Sequence, residues 1–444
     1  QRCVMRSGQV YVANGWAWDP EVTASAATYS TSYNDRLTSV TNAANIKVGS
    51  LVQGTGVGRE VYVREVNVAA QEVRLSGSLY DAAGRQTFGF QRFKYVLDFS
   101  GFDLVSQMVL LDLEILCRGY ASGIMLPRAG VANTIKNCFI TRPKDRGITS
   151  IGNGCQGMFI EGCQFITNEG GTNAQSRSSI ALNANANDLK IRDNRASQFR
   201  HFAILSGQNY VISGNHVFQG DSVKDGARLA GFVFTRSNVN HTFTANYVDN
   251  CNVEWTNEST SAPNNSGGFS FSALSITNNV FLCSDVAPWF SFVVVKPYGT
   301  GHTLRGFTMT GNMFRSTKGT IDRVERINAS FATLNLSAAR DVVVNGNMFL
   351  NVLNGTENPL TLDHAQSNHA AVWYVSFAGR LPFGGPAQRV PSVVNRSKIK
   401  TVANVNQYIS PWVTPERGGN GDIVELAWGK DVSGTVTITA RMDR

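Results

Sequence analysis

One six-residue phrase recurs along the middle of this chain and constrains its fold more than any other feature. It reads apolar, any, any, Asn or Cys, any, apolar. Copies run Ile135 to Ile140 around Cys138, Ile160 to Phe165 around Cys163, Ile191 to Ala196 around Asn194, and Ile212 to Val217 around Asn215. They continue from Phe243 to Val248 around Asn246, Ile276 to Phe281 around Asn279, Met309 to Phe314 around Asn312, and Val344 to Phe349 around Asn347. A degenerate first copy, Leu111 to Leu116, places Glu114 at the anchor. Successive anchors are 21 to 35 residues apart.

Variable spacing around a constant phrase excludes fixed-length helical repeats. A propeller blade would recur every 40 or so residues, and a sandwich would not reuse one phrase nine times. Coils of a solenoid behave in this way, because their loops lengthen without disturbing the strands. The alternating apolar residues predict short strands filling a central column. The anchor Asn suits the sharp bend between two strands, since Asn tolerates left-handed backbone. Its amide can also bond the same Asn one coil away, about 4.8 Å along the axis, and Cys138 and Cys163 would occupy this ladder in two coils. The expected fold is all-β: a right-handed parallel β-helix, a single-stranded solenoid of at least nine coils, from about Leu111 to Phe349.

Composition agrees. Charged residues make up only 16% and Gly numbers 42, which suits a turn-rich β-protein and not a disordered chain. Residues 1–95 lack the phrase but contain short alternating strands after the glycine cluster Gly54 to Gly58, which no Lys-Ser/Thr or helix follows and which reads as a turn. Strand patterns resume after the last copy. The expected division is an N-terminal β-rich region over 1–95, the β-helix over 96–360, and a C-terminal β-domain over 361–444 that caps the open end. The seven cysteines are odd in number and form no CxxC pair, predicting buried thiols and neither a metal site nor a disulfide framework. That suits assembly in a reducing compartment. No cofactor motif, signal peptide or membrane-length apolar run is visible. The chain begins at Gln1 within strand-like sequence, as a processed product or a piece of a longer chain would. The formal charge is +8, yet Arg and Lys are scattered among acids, which reads as a mixed surface and not a nucleic-acid stripe. The excess would help attract an anionic polysaccharide.

The strand phrase, the Asn turns and the variable coil lengths over about residues 90–360 resemble the pectate-lyase-like β-helix superfamily, and within it the phage tailspike and tail-fibre proteins. That resemblance implies a homotrimer in a virion tail that binds, and in many members cleaves, a bacterial surface polysaccharide such as capsule or lipopolysaccharide, alongside other tail proteins. It implies no nucleic-acid partner and no membrane insertion. A secreted bacterial enzyme, a non-catalytic adhesin and a polysaccharide lyase are the alternatives. The Asp-Asp and Gly-His-Gly pairs of polygalacturonases are absent, as is the opening Gly-Asp-Gly-x-x-Asp-Asp of many tailspikes.

Candidate chemistry sits in the loops just past the anchors, where Asp145, Glu169, Arg200, His201, Asp221, Asp225, Glu254 and Asp285 fall. Stacked coils would align them as a polar stripe. Glycosidic hydrolysis uses two carboxyl groups, about 5 Å apart in retaining and up to about 9.5 Å in inverting enzymes, and carboxylates on adjacent or next-adjacent coils meet those limits. Asp221, Asp225, Glu254 and Glu169 are therefore the candidate catalytic acids. Arg200, His201 and Asp285 are candidate sugar-binding groups, and a lyase would draw its base and cation from Arg200, His201, Lys224 and Arg228. Trp255 and Trp289 fall in the expected coil loops outside the phrase and are candidate stacking platforms for sugar rings.

Overall fold

The computed structural model describes residues 4–12, 18–220, 229–261, 263–267, 270–284 and 286–444. Its body is a right-handed parallel β-helix whose coils contribute to three sheets. The first sheet stacks strands such as Thr134–Lys136, Lys190–Arg192, Phe271–Thr277 and Val343–Asn345. The second stacks the strands that follow each bend, from Phe139–Thr141 to Met348–Leu350. The third has nine strands, from Tyr95–Asp98 to Glu325–Ile327. All pairings between coils in these sheets are parallel, with partners such as Ile160 opposite Ile191 and Phe281 opposite Phe314.

The repeated phrase forms the bend between the first and second sheets. Asn194, Asn215, Asn246, Asn279, Asn312 and Asn347 form a continuous ladder, each amide donating to the next amide oxygen at 2.9–3.0 Å. Each Nδ2 also donates to a carbonyl of the preceding coil, as Asn246 does to Ile212. Cys163 extends the ladder through its backbone N–H, which donates to Asn194 Oδ1 at 2.9 Å. The left-handed residue is not the Asn but the one before it: Asn137, Asp193, Ala245 and Asn278 have φ of 53° to 56°, and Gly162, Gly214, Gly311 and Gly346 fill the same place. The reason is directional. The left-handed residue stays at the surface, exposed or, at Gly162, half-buried, and it turns the following anchor side chain inward. The first copy is also shifted by one. Phe139 pairs with Glu114, so Leu113 lies opposite Cys138 and is the true anchor, preceded by left-handed Asp112. Leu110, Leu113 and Ile115 point inward, whereas Glu114 faces out and accepts from Gln9.

Inside the column, aromatic rings continue from coil to coil. Phe281, Phe314 and Phe349 stack at 4.9 and 6.0 Å, and Phe165, Phe202 and Phe232 meet edge to face. Cys138, Cys163, Cys251 and Cys283 are buried in this column.

The strand Val4–Tyr11 lies parallel to Val109–Leu116 and supplies one further layer of the helix. The β-domain that follows is therefore an insertion between the first layer and the next. It is a six-stranded antiparallel sheet, with Gly84–Arg92 paired to Glu21–Tyr29, and has its own core around Leu37, Val73, Phe88 and Phe90. At the other end, Leu360–Ser376 and Ile423–Arg441 pair antiparallel in a second domain. Its buried face, with Trp373, Leu426 and Trp428, joins the core of the β-helix. Asp443 ties the junction by accepting from the Val342 N–H and the Asn358 amide, both at 2.9 Å.

Candidate functional site: a groove on the third sheet

In a strand, alternate side chains face opposite sides, so one half of the third sheet's residues point away from the column. These outward positions include His201, Ala230 and Asn252 in one row and Val233, Glu254, Val294 and Arg326 in the next, each row being a set of parallel partners. They floor a groove made of three contiguous cavities of about 440, 260 and 540 Å³. The groove crosses the seven strands from Arg146–Thr149 to Glu325–Ile327, about 29 Å at the usual strand spacing.

The inserted β-domain walls one end. Its glycine-rich turn runs over the third sheet and presents Arg59 and Glu60. Gly58 lies so close to the Glu258 carbonyl oxygen that a Cβ would sit 2.6 Å from it, so only glycine allows this approach. Arg59 reaches between Glu254 and Glu258, donating to both, with Nε 2.7 Å from Glu258. Glu60 receives Arg146 through two bonds of 2.8 and 3.0 Å and Tyr62 through a third of 2.5 Å, and all three groups are buried. A buried pair of this kind fixes the docking geometry more than it adds net stability.

The groove holds Arg200, His201, Glu254 and Trp289, four of the residues singled out by the sequence. Burial pushes the Glu254 carboxyl up, but the Arg59 guanidinium outweighs this and holds its pKa below the ordinary range, so Glu254 is an ionised carboxylate. Burial, and then the charge of Arg59, bring the His201 pKa down to about 3. His201 is thus neutral at physiological pH, and its Nδ1–H donates to the Ala230 carbonyl at 2.7 Å, which leaves Nε2 as an acceptor. Trp289 is 55% exposed at the groove's far part, with the Arg326 guanidinium 5.3 Å from its ring centre.

Two expected roles are corrected. Trp255 is not a sugar platform: it is fully buried in the column, against Phe271 at 5.2 Å, with its indole N–H donating to Arg236. The strand Asn252–Thr256 alternates, so the groove-facing Glu254 commits its neighbour to the core. Glu169 is a loop brace: its oxygens accept from the backbone N–H groups of Ser178 and Ser179 at 2.9–3.1 Å and from both hydroxyls. That saturates its lone pairs and leaves none for a substrate. Asp221, Asp225 and Asp285 lie outside the described residues, as do Lys224 and Arg228.

Several groove residues had no signal in the sequence. Arg59 comes from a domain without the repeat, and its partners lie 195 and 199 residues away. Lys296 and Arg326 sit at outward strand positions like any surface cation. Only the glycine cluster hinted that the Arg59 turn makes a close approach. Among the described residues no cluster of metal-ligating side chains occurs, and no helix is long and apolar enough to cross a membrane.

No family model and no curated protein sequence matches this chain. Solved structures similar to it include a tailspike protein double mutant of Escherichia coli bacteriophage HK620, 10% identical over 79% of this chain and 71% of that one, with a TM-score of 0.35. A second HK620 tailspike mutant, in complex with a hexasaccharide, is 10% identical over 76% and 69%, at 0.37. The Gp54 tailspike of Acinetobacter baumannii bacteriophage AP22, in complex with a capsular saccharide, is 11% identical over 100% and 91%, at 0.23. Likeness at this level carries no functional conclusion, and the β-helix stands on the strand pairings of this chain itself.

Proposed function

We propose that this chain is a phage-tail protein that binds a bacterial surface polysaccharide along the third-sheet groove. The observation that carries the reading is the groove's form: an open channel about 29 Å long, parallel to the coil axis, with an exposed tryptophan and hydrogen-bonding groups set in rigid strands. An extended polymer fits such a channel, and a small ligand would leave most of it empty. The exposed face of the C-terminal sheet supports self-association, which the homotrimer reading requires. Val372, Tyr374 and Trp412 lie there in adjacent paired rows, with Trp412 77% exposed, and apolar rows of this kind mark association surfaces.

Glycosidic hydrolysis is the finer reading, favoured by the Glu254 carboxylate within the groove. Held ionised by Arg59, Glu254 suits a base or a fixed negative charge and not a proton donor. The donor would then be Asp221 or Asp225. The test is incubation with purified capsular and O-antigen polysaccharides, followed by assays for reducing ends and for unsaturated products. New reducing ends that vanish in Glu254→Gln and in Asp221→Asn or Asp225→Asn support hydrolysis. Unsaturated products would assign a lyase instead, and binding without either product would assign an adhesin. Failure of Trp289→Ala to weaken binding at least several-fold would remove the groove from the proposal.

A further inference from the structure

Arg and Lys look dispersed along the sequence, but the fold gathers an unbalanced set of them. Arg59, Arg146 and Arg323 in the groove are matched by Glu254 with Glu258, Glu60 and Asp322. Four further cations line the same channel with no carboxylate in ion-pair reach among the described residues: Arg177, Arg200, Lys296 and Arg326. Their hydrogen-bond and ring partners are neutral, and the Glu254 carboxylate acts on Lys296 and Arg326, as Glu169 does on Arg177, only from beyond ion-pair distance. Arg177 donates to the Gln219 amide oxygen and the Thr172 carbonyl, and Arg200 to the carbonyls of Gln175 and Arg177. Lys296 lies 5.1 Å from the Phe331 ring centre, and Arg326 is stacked on Trp289.

Arg326 is the most telling. Its Nε is buried and has no hydrogen-bond partner. A buried N–H left unmade is a standing cost to the fold, and here the donor belongs to a charged group in a channel that is open to solvent. Its neighbour Lys296 is on the adjacent strand, whose register sets Val294 directly opposite Arg326. Cations already partly stripped of water bind an anion more strongly than free surface cations do.

We infer that the groove takes an acidic polysaccharide, with the acid groups of successive sugar units received by Arg200, Lys296 and Arg326. The inference rests on the groove being the polysaccharide site. The acid is a carboxylate or a phosphodiester, since both offer the oxygens that guanidinium and ammonium groups bind.

The experiment measures binding of the full chain to a panel of purified bacterial capsular and O-antigen polysaccharides, half of them acid-bearing and half neutral. Binding confined to acid-bearing members is expected, falling steeply between 0.1 and 0.5 M salt. Arg326→Gln and Lys296→Gln should each weaken it about tenfold. Lys190→Gln, which removes an equal charge from the first sheet, should leave it unchanged, and thermal melts confirm that the variants fold. Carboxyl reduction of the bound polymer distinguishes the two acids: loss of binding assigns a carboxylate, and retention assigns a phosphodiester. Tight binding to a neutral polymer that Trp289→Ala weakens but Arg326→Gln does not would overturn the acidic specificity and leave the groove reading intact. Absence of binding to every member would count against both.

Discussion

Glu325 offers a quantitative test of how the β-helix is joined to its C-terminal domain. It sits on the last strand of the third sheet, facing inward and fully buried. One oxygen accepts from the Phe383 N–H at 3.0 Å and the other from the Thr356 hydroxyl at 2.9 Å. Burial dominates these bonds and pushes its pKa from 4.5 up to about 7. Below pH 4.5 the carboxyl is protonated in both folded and unfolded chains, and no penalty arises. Between the two values the folded chain binds more protons, so stability falls as pH rises. Above pH 7 the folded state carries the whole cost of a buried charge, about 3 kcal/mol for a shift of this size. Glu325→Gln keeps both bonds, with the amide oxygen accepting from Phe383 and Nε2 donating to Thr356 Oγ. The variant should therefore match the parent near pH 4 and exceed its stability by up to about 3 kcal/mol at pH 8. Denaturant unfolding at pH 4, 6 and 8, followed by tryptophan fluorescence, reads the difference, and subtraction cancels the other titrating groups. A difference between the two proteins that does not change with pH would refute the reasoning.

Asn246→Ala removes a ladder residue that makes bonds in both directions and should cost about 2–4 kcal/mol in unfolding experiments, whereas a loss under 1 kcal/mol would show the ladder to be incidental. Arg59→Met leaves Glu254 and Glu258 facing each other without their cation, and should destabilise the docking of the inserted domain by about 3–5 kcal/mol; proteolysis of that domain no faster than in the parent would contradict this. Light scattering should report three times 48.2 kDa, and Trp412→Asp with Tyr374→Asp should shift the mass toward the monomer; a parent already monomeric would dispose of the trimer.

The legibility of this molecule differs between its parts. The ladder is legible because every coil meets the same steric problem, one bend between two short strands, and six successive coils from Asn194 to Asn347 solve it with the same residue type. Even there the phrase places the first copy one residue out of register, since Leu111 to Leu116 is apolar enough to fit it in two frames, and only its pairing with Phe139 selects one. The strand character of Val4–Tyr11 is legible, but its place in the β-helix and not in the N-terminal region is not, because its layer is completed by a partner more than a hundred residues later.

The site was readable only as a stripe. Spacing from the anchors brought Arg200, His201 and Glu254 to one edge, but it could not assign Trp255 and Glu254 to opposite sides of one strand. Nor could it show that Glu169 spends its oxygens on its own loop. The sequence by itself determined the solenoid, because its periodic apolar positions and Asn anchors act between neighbouring coils and repeat. The tertiary structure alone decided where the cations collect and which of them have no carboxylate within ion-pair distance. That balance depends on Arg59 and Glu60 crossing from an inserted domain to the third sheet, and no local pattern encodes the meeting of two surfaces so far apart in the chain.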